Sequence, residues 1–449
     1  MPDQYQIVHL SDIHFRQECN GDPVLHDDVR NELLLDARRL REKLGDADAV
    51  VVTGDIAYSG KKGEYEQAGD WLDQLCTAIG CPEQSVQVIP GNHDIDWSKV
   101  TPIVEDLHSC ITDALPNELD ARISERFHKD EVAYNALLAK FNNYREFANR
   151  YGKDFESGEC PFWAEDISTL GSPVIRVVGL NTVLFSDRHD AKERLALGQN
   201  QYILRRDNDV EYIVLLHHPP EWFKDSQQSR SYFENRARVW LMGHEHTLRV
   251  NTSKNVQDFE RLEIHAGATN PPAEDGYEFR YNWLTLSMCS VEDKRQLVVA
   301  LWPRVWTLAS TGFVADTNIL QGQEHKDFSL VLSEAVTEAE EESEENHIVP
   351  DLVDPDEGEL SVSENERCVA RDDGDFRRLQ FLFWKKLDRN QRILVLAELG
   401  ILPNDFQMQP VWLRRGLDAA RYQGRLRELW DSVMRCLPDD QKESNPFLS

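Results

Sequence analysis

Five short segments of this 449-residue chain gather side chains that bind metals or move protons. They are Asp12 and His14 in "SDIH", Asp55 in "VTGD", and Asn92, His93 and Asp94 in "PGNHD". Then come His217 and His218 in "LLHHPP", and His244 and His246 in "MGHEH". Taken singly, each reads as an ordinary turn, because Pro, Gly, Asn and Asp are turn residues. Taken together they read as one site. An isolated buried carboxylate or imidazole is costly. A convergence of Asp12, His14, Asp55, Asn92, His93, Asp94, His217, His244 and His246 is tolerable only with cations between them. Mixed Asp, Asn and His donors suit Mn, Fe or Zn better than Mg or Ca, which take all-oxygen sites. The set is large enough for two ions.

Each group must be positioned by an element, and the sequence shows which. "QIVHL", "AVVV", "VQVI", "YIVLL" and "VWLM" precede the five groups directly. Short runs rich in Val, Ile and Leu read as strands buried on both faces. Residues 27–44 and 64–79 lie between the first three runs and carry apolar residues at helical spacing. This alternation predicts βαβ units and parallel strand pairs. If the five strands are neighbours, their C-terminal ends meet at one sheet edge, where open α/β sheets bind ligands. Residues 104–151 predict a helical insertion over the site. The runs "RLEIHAGAT", "YNWLTLSMC" and "RQLVVALW" predict a second, antiparallel sheet.

The motifs D-x-H, G-D, G-N-H-D, H and G-H-x-H, in this order, resemble those of the calcineurin-like metallophosphoesterases over residues 5 to about 310. The resemblance implies an α/β fold, a two-sheet αββα sandwich with a dinuclear centre of Mn²⁺, Fe²⁺/Fe³⁺ or Zn²⁺. It implies that one metal is held by Asp12, His14, Asp55 and His246, and the other by Asp55, Asn92, His217 and His244, with Asp55 bridging. His93 matches the family histidine that contacts phosphate or protonates the leaving group, and Asp94 is expected to orient it. Arg16, Tyr58, His218 and His265 are candidate substrate contacts. A surface role for Arg16 and Tyr58, and a packed role for His218 and His265, are the plain alternatives. Many relatives carry Asp or Gly where this chain has Tyr58, so the substrate class does not carry over with the metals. The expected activity is hydrolysis of a phosphodiester, nucleotide-type, such as a cyclic nucleotide.

Charge divides the chain. The net charge is -31, and 334–366 holds 14 acidic residues with no Lys or Arg. Residues 376–436 carry 12 Lys and Arg against 6 Asp and Glu, leaving about -20 on 1–333. An acidic strip poor in apolar residues predicts a flexible linker, 334–371. Beyond it, 372–449 predicts a small all-α bundle. "RNQRILVLAELGILPNDF" and "LRRGLDAARYQGRLREL" resemble the death-fold-like adaptor domains of bacterial defence and signalling proteins. That resemblance implies a protein partner, and with it an alternative function: an effector, a nuclease among the candidates, switched on by that partner. A body near -20 opposes binding of long polyanions, which favours a small diester over nucleic acid. Eight scattered cysteines form no C-x-x-C pair. With no basic-then-apolar leader and no apolar run of about 20 residues, the expectation is a reduced, cytoplasmic protein with no membrane partner.

Overall fold

In the first strand, β1 (Gln4–Leu10), neighbouring side chains enter different cores: Val8 and Leu10 one, Ile7 another. The next elements are α1 (Pro23–Leu44), β2 (Ala49–Val52), α2 (Lys62–Ile79) and β3 (Val86–Val88). Val50 and Val52 of β2 join the core of Val8, and Val51 joins that of Ile7. Side chains alternate across a strand, so a continuous apolar run means that both faces are covered. This is a computed structural model. It describes residues 4–17, 23–125, 131–153, 162–167, 170, 173–206, 209–256, 259–271 and 278–332. In the C-terminal part it describes 378–379, 382–387, 389–401, 420–421, 425–438, 442 and 444–448.

After β3 come four helices, α3 (Pro102–Thr112), α4 (Leu119–Ile123), α5 (Glu131–Leu138) and α6 (Asn142–Arg150). Then follow β4 (Trp163–Ile167), β5 (Val174–Gly179), α7 (Gln199–Tyr202), β6 (Val210–Leu216), α8 (Ser226–Arg236) and β7 (Ala237–Met242). The order closes with β8 (Arg249–Lys254), β9 (Glu260–His265), β10 (Arg280–Val291), β11 (Lys294–Thr307), β12 (Gly312–Ala315) and β13 (Lys326–Val331).

One sheet runs β12-β11-β10-β1-β2-β3, with β13 also on β11; the other runs β4-β5-β6-β7-β9-β8. β1, β2 and β3 are parallel, as are β5, β6, β7 and β9. Between the sheets, Ile7, Val51 and Ile89 pack with Ile213, Leu215, Val239 and Leu241. Leu33, Ala37, Leu72 and Leu75 of α1 and α2 cover the outer face of the first sheet. Phe233 and Tyr202 of α8 and α7 cover the outer face of the second, against Val214, Leu216, Trp240 and Met242. The layers are therefore helix, sheet, sheet, helix, as expected.

Two expectations need correction. The five motif strands are not neighbours in one sheet: β1, β2 and β3 lie in the first, β6 and β7 in the second. Nor do the late runs build a separate antiparallel sheet. β10 and β11 extend the first sheet by antiparallel pairing on β1, and β9 joins the second in parallel with β7. Apolar runs buried on both faces give the same pattern in either sheet, so the sequence did not separate them.

Helix α2 shows why its boundaries fall where they do. The Glu64 carboxylate accepts the backbone N–H groups of Ser59 and Lys61, both at 2.9 Å, which satisfies donors the helix start leaves open. Gly80 ends it at φ 71°, donating its N–H to Cys76. The insertion begins at Pro102. It is tied to the loops after β3 and β2 by Asp96 N–H on the Lys140 carbonyl (2.9 Å) and by Asn143 Nδ2 on the Gly60 carbonyl (2.8 Å). The fully buried Lys140 donates to His108 Nε2 and the Ser186 carbonyl, each at 3.0 Å, and burial lowers its pKa to about 7.

The chain divides into two compact units, Met1–Glu345 and Asn346–Ser449. The predicted linker 334–371, and Leu413 and Leu417 of the predicted tail core, lie outside the described residues. In the second unit the helices Arg389–Glu398 and Leu426–Cys436 bury Leu396, Leu399, Leu429, Trp430 and Val433 together with Leu379 and Phe383. Among the described residues no helix is long and apolar enough to cross a membrane.

Candidate metal centre

The C-terminal ends of β1, β2, β3, β6 and β7 converge although they belong to two sheets. The loop after β1 runs beside the loop after β2: Asp12 N–H bonds the Gly54 carbonyl at 3.0 Å, and Ile13 and His14 N–H bond the Asp55 carbonyl at 2.9 Å. The second sheet is joined through His244 N–H, which donates to Asp12 Oδ2 at 3.2 Å. Two glycines make the approach feasible. A Cβ on Gly91 would collide with the Asp55 carboxylate. One on Gly54, at φ 93°, would collide with the His217 ring.

Backbone conformation marks the same residues. Asp12 (φ 53°), His14 (48°), Arg16 (72°), Asp55 (54°), His244 (70°) and His246 (53°) all sit in the left-handed region. Each such residue costs on the order of 1–3 kcal/mol and persists only where the surroundings enforce it. For Asp12, His14, Asp55 and His244 the enforcing groups are the loop hydrogen bonds just described.

Asp55 is central. Its Oδ2 stands 3.2 Å from His14 Nε2 and 3.4 Å from His217 Nε2. Groups with ligand atoms within 4.8 Å of one another are Asp12, His14 and His246; His14, Asp55 and His93; Asp12, Asp55 and His217; and His217, His218 and His244. Asn92 belongs here too, its Oδ1 lying 3.0 Å from His217 Nε2. Asp12, Asp55 and His217 are buried; His93, His244 and His246 are partly exposed.

The tautomers test whether cations fit. A backbone carbonyl only accepts, so the ring nitrogen facing it carries the proton. His217 Nδ1–H donates to the Thr53 carbonyl at 2.9 Å, His14 Nδ1–H to that of Asn270 at 3.3 Å, and His93 Nδ1–H to that of Tyr58 at 2.9 Å. In the neutral rings Nε2 is left with a lone pair. For His14 and His217 that lone pair faces the oxygens of Asp55 and Asn92, an acceptor against acceptors. Only a proton or a cation relieves it. A ring whose other nitrogen is held by a carbonyl is the usual arrangement of a metal-ligating histidine. Asp12 Oδ1, buried, makes no hydrogen bond of ordinary geometry, with His246 Nε2 3.4 Å away. The donor set therefore fits cations of the Mn, Fe or Zn class.

Electrostatics agree. Burial raises the Asp12 pKa, but the His246 and His217 rings outweigh it and bring it to about 2. Burial likewise opposes ionisation of Asp55, and its histidines hold it well below the ordinary carboxylate value. Burial lowers His217, yet the Asp55 and Asp12 charges lift it to about 9. Burial and the neighbouring His217 push His244 down to about 3. The pocket is built for positive charge and draws it from protons when nothing else supplies it.

The remaining predicted residues fall as follows. His93 sits with its ring 4.7 Å from His14, stacked on Tyr58 at 5.3 Å. Asp94 does not orient His93, which corrects the expectation. Its buried carboxylate accepts Ala57 N–H (2.9 Å), Ile56 N–H (3.2 Å), Gly91 N–H (2.9 Å) and Tyr65 Oη–H (2.9 Å). It fastens two metal-motif loops to each other. His218 is buried, held by Thr182 Oγ1 at 3.3 Å, with its ring 4.2 Å from that of His244. His265 stands apart from the ligand groups, 3.4 Å from Glu245. The Arg16 side chain is exposed and lies over Gly63 at the start of α2. Sequence reasoning missed Asn270, which holds His14, and Trp222, 4.4 Å from His244. Asn270 carries no local signal, whereas Trp222 follows "HHPP" by one residue.

The role of Asp94 gives a direct prediction. In Asp94→Asn an amide N–H₂ replaces one oxygen, so that at least one buried N–H or hydroxyl loses its acceptor. We expect a stability loss of roughly 1–3 kcal/mol per unpaired donor and metal affinity lower by about 10–100-fold. Urea unfolding and metal titration measure these. Unchanged stability would refute the fastening role.

Comparison with known proteins follows this geometry. The calcineurin-like phosphoesterase family model matches residues 5–248, and that of the GTPase-associated adaptor domain matches 375–435. An uncharacterized metallophosphoesterase-like protein, YydB of Bacillus subtilis (strain 168), is 26% identical over 275 residues, 59% of this chain and 53% of that protein. The chain thus spans about half the length of the curated relative it matches. Among solved structures, purple acid phosphatase PPD1 of yellow lupin (Lupinus luteus) seeds aligns at TM-score 0.36 and 14% identity, covering 74% of this chain and 54% of that one. A 5'-nucleotidase precursor of Thermus thermophilus aligns at TM-score 0.32 and 12% identity, covering 73% and 54%.

Proposed function

Since this chain belongs to the calcineurin-like phosphoesterase family, we propose that it is a metal-dependent phosphoesterase that hydrolyses a nucleotide-type phosphodiester at a dinuclear metal centre. Asp12, His14, Asp55 and His246 would hold one ion, and Asp55, Asn92, His217 and His244 would hold the other. The observation that carries this reading is Asp55 Oδ2, placed between the Nε2 lone pairs of His14 and His217 at 3.2 and 3.4 Å. Two ions bound there supply charge to the phosphoryl group and a nucleophile at neutral pH. The protein does the rest. Asp55 joins the two halves of the site, and its Oδ1 accepts His93 N–H at 2.8 Å, which locks the "GNHD" turn. His93, with Nδ1–H committed to Tyr58, presents Nε2 to the substrate; as the imidazolium, protonated on both nitrogens, it would give the Nε2 proton to the departing oxygen and be left as the neutral Nδ1–H ring. Tyr58, stacked on His93, limits how that ring turns. The acidic body favours a small diester whose phosphate meets the ions over a long polyanion.

The test is hydrolysis by the purified protein with Mn²⁺, Fe²⁺ or Zn²⁺. Cyclic nucleotides, bis-(p-nitrophenyl) phosphate, and single- and double-stranded nucleic acid are the substrates. We expect turnover of the small diesters, abolished by chelator. No turnover of any phosphodiester with any of these metals would overturn the reading.

The match of residues 375–435 to an adaptor domain supports a second level, in which the tail docks on a protein partner. The description GTPase-associated makes a GTPase the first partner to try. The catalytic unit should then work alone on a small substrate. A chain ended after Leu332 is expected to keep its rate on bis-(p-nitrophenyl) phosphate while losing capture of the partner. Loss of that rate would make the tail part of the catalytic body and end the adaptor reading.

A further inference from the structure

A cavity of about 410 Å³ opens beside the metal centre, lined by Trp222, His244, Glu245, Thr247 and Arg249. It falls within the roughly 300–1,000 Å³ of small-molecule sites. Its position follows from the chain. After His217 and His218, Pro219 and Pro220 set a short turn in which Trp222 N–H bonds the Pro219 carbonyl at 3.0 Å. The turn delivers the indole to His244, with ring centres 4.4 Å apart at 88°. Glu245 lies in the same loop as His244 and His246, and Arg249 opens β8 directly after that loop. The Glu245 carboxylate is held by Arg249, with Lys192 Nζ 3.8 Å and His265 Nδ1 3.4 Å away.

The lining selects a chemistry. Among the described residues no Val, Leu or Ile lines the cavity, which argues against an acyl or alkyl group. The carboxylate opposes a second phosphate. An indole, a carboxylate, a guanidinium and a hydroxyl together suit a planar ring whose edge carries both donors and acceptors. Resting on the phosphodiester reading above, we propose that this cavity is a nucleobase subsite. The base packs on Trp222, and its edge hydrogen-bonds to Glu245 and Arg249. His244 belongs both to the lining and to the candidate metal-ligand set, so the cavity adjoins the place where a phosphate would meet the ions. The substrate class is a nucleotidyl ester.

The test uses the full chain with Mn²⁺ and two esters that share a leaving group, the adenosine 5'-(p-nitrophenyl) and the ethyl p-nitrophenyl phosphodiesters. The ratio of their kcat/KM values isolates the contribution of the nucleoside. Wild type should favour the adenosine ester. Trp222→Ala should lower the ratio about 10-fold, within the range of aromatic–base stacking, and mainly through KM; Trp222→Phe should recover most of it. Arg249→Ala, at a half-exposed position, should also lower the ratio. Hydrolysis of both esters with a ratio unmoved by Trp222→Ala and Arg249→Ala would overturn the subsite. If wild type hydrolyses neither ester, it is the phosphodiesterase reading that fails. Binding by calorimetry then decides the subsite: adenosine 5'-phosphate binding more tightly than ribose 5-phosphate, an advantage lost in Trp222→Ala, supports it, and equal affinities overturn it.

Discussion

Asp55→Asn is expected to lower diester hydrolysis by roughly 10³-fold or more, since the charge stabilisation supplied by bound metal is worth several kcal/mol and each 1.36 kcal/mol is tenfold in rate. Oδ2 faces His14 and His217 together, while Oδ1 accepts His93 N–H at 2.8 Å. An asparagine keeps an oxygen for His93 N–H, so the turn it holds should survive. It removes the negative charge that lifts His217 to about 9 and replaces one donor oxygen by N–H₂. At least one ion should therefore be lost. Elemental analysis of metal per chain, beside circular dichroism for the fold, reads this directly. Two retained metals with wild-type turnover would remove Asp55 from its bridging place.

His93→Ala should behave in the opposite way, keeping metal and losing rate. A positioned general acid contributes on the order of 10²–10⁴-fold, and we expect the loss in kcat to fall in that range. The Tyr58 carbonyl fixes the Nδ1 proton, so Nε2 is the atom that acts. If it protonates the leaving group, the loss should shrink as the leaving group becomes more acidic, from an alkoxide to p-nitrophenolate. An equal loss across that series would assign His93 to binding phosphate charge instead. Loss of metal from His93→Ala would contradict both roles.

Much of the site was legible in the chain itself. Strands buried on both faces must end where polar residues begin, so the apolar runs before Asp12, Asp55, Asn92, His217 and His244 announced strand ends that carry ligand-type side chains. The mixture of Asp, Asn and His pointed to transition-metal chemistry, since donor type is a property of the residue and not of the fold. The same logic reached the tail. Leu379, Phe383, Leu396, Leu399, Leu426 and Leu429 recur at helical spacing within the predicted bundle and form one buried cluster. Helical periodicity is local and needs no partner to be read.

What the tertiary structure decided is whatever depends on contacts between distant parts of the chain. The division of the motif strands between two sheets is one case: both faces of each strand are apolar, so no pattern along the chain names the neighbour. Asp94 is another. Beside His93 in sequence, it serves Ile56, Ala57 and Tyr65, residues 29 to 38 positions away. The tautomer of His14 is set by a carbonyl 256 positions distant, at Asn270, and that of His217 by one 164 positions distant, at Thr53. The left-handed backbone of Asp12, His14, Asp55, His244 and His246 is unfavourable for each residue alone and is held by bonds between loops of different strands. The sequence determined which atoms are available to bind metal. Folding decided which lone pairs face one another, because that depends on distances across the sandwich that no local preference encodes.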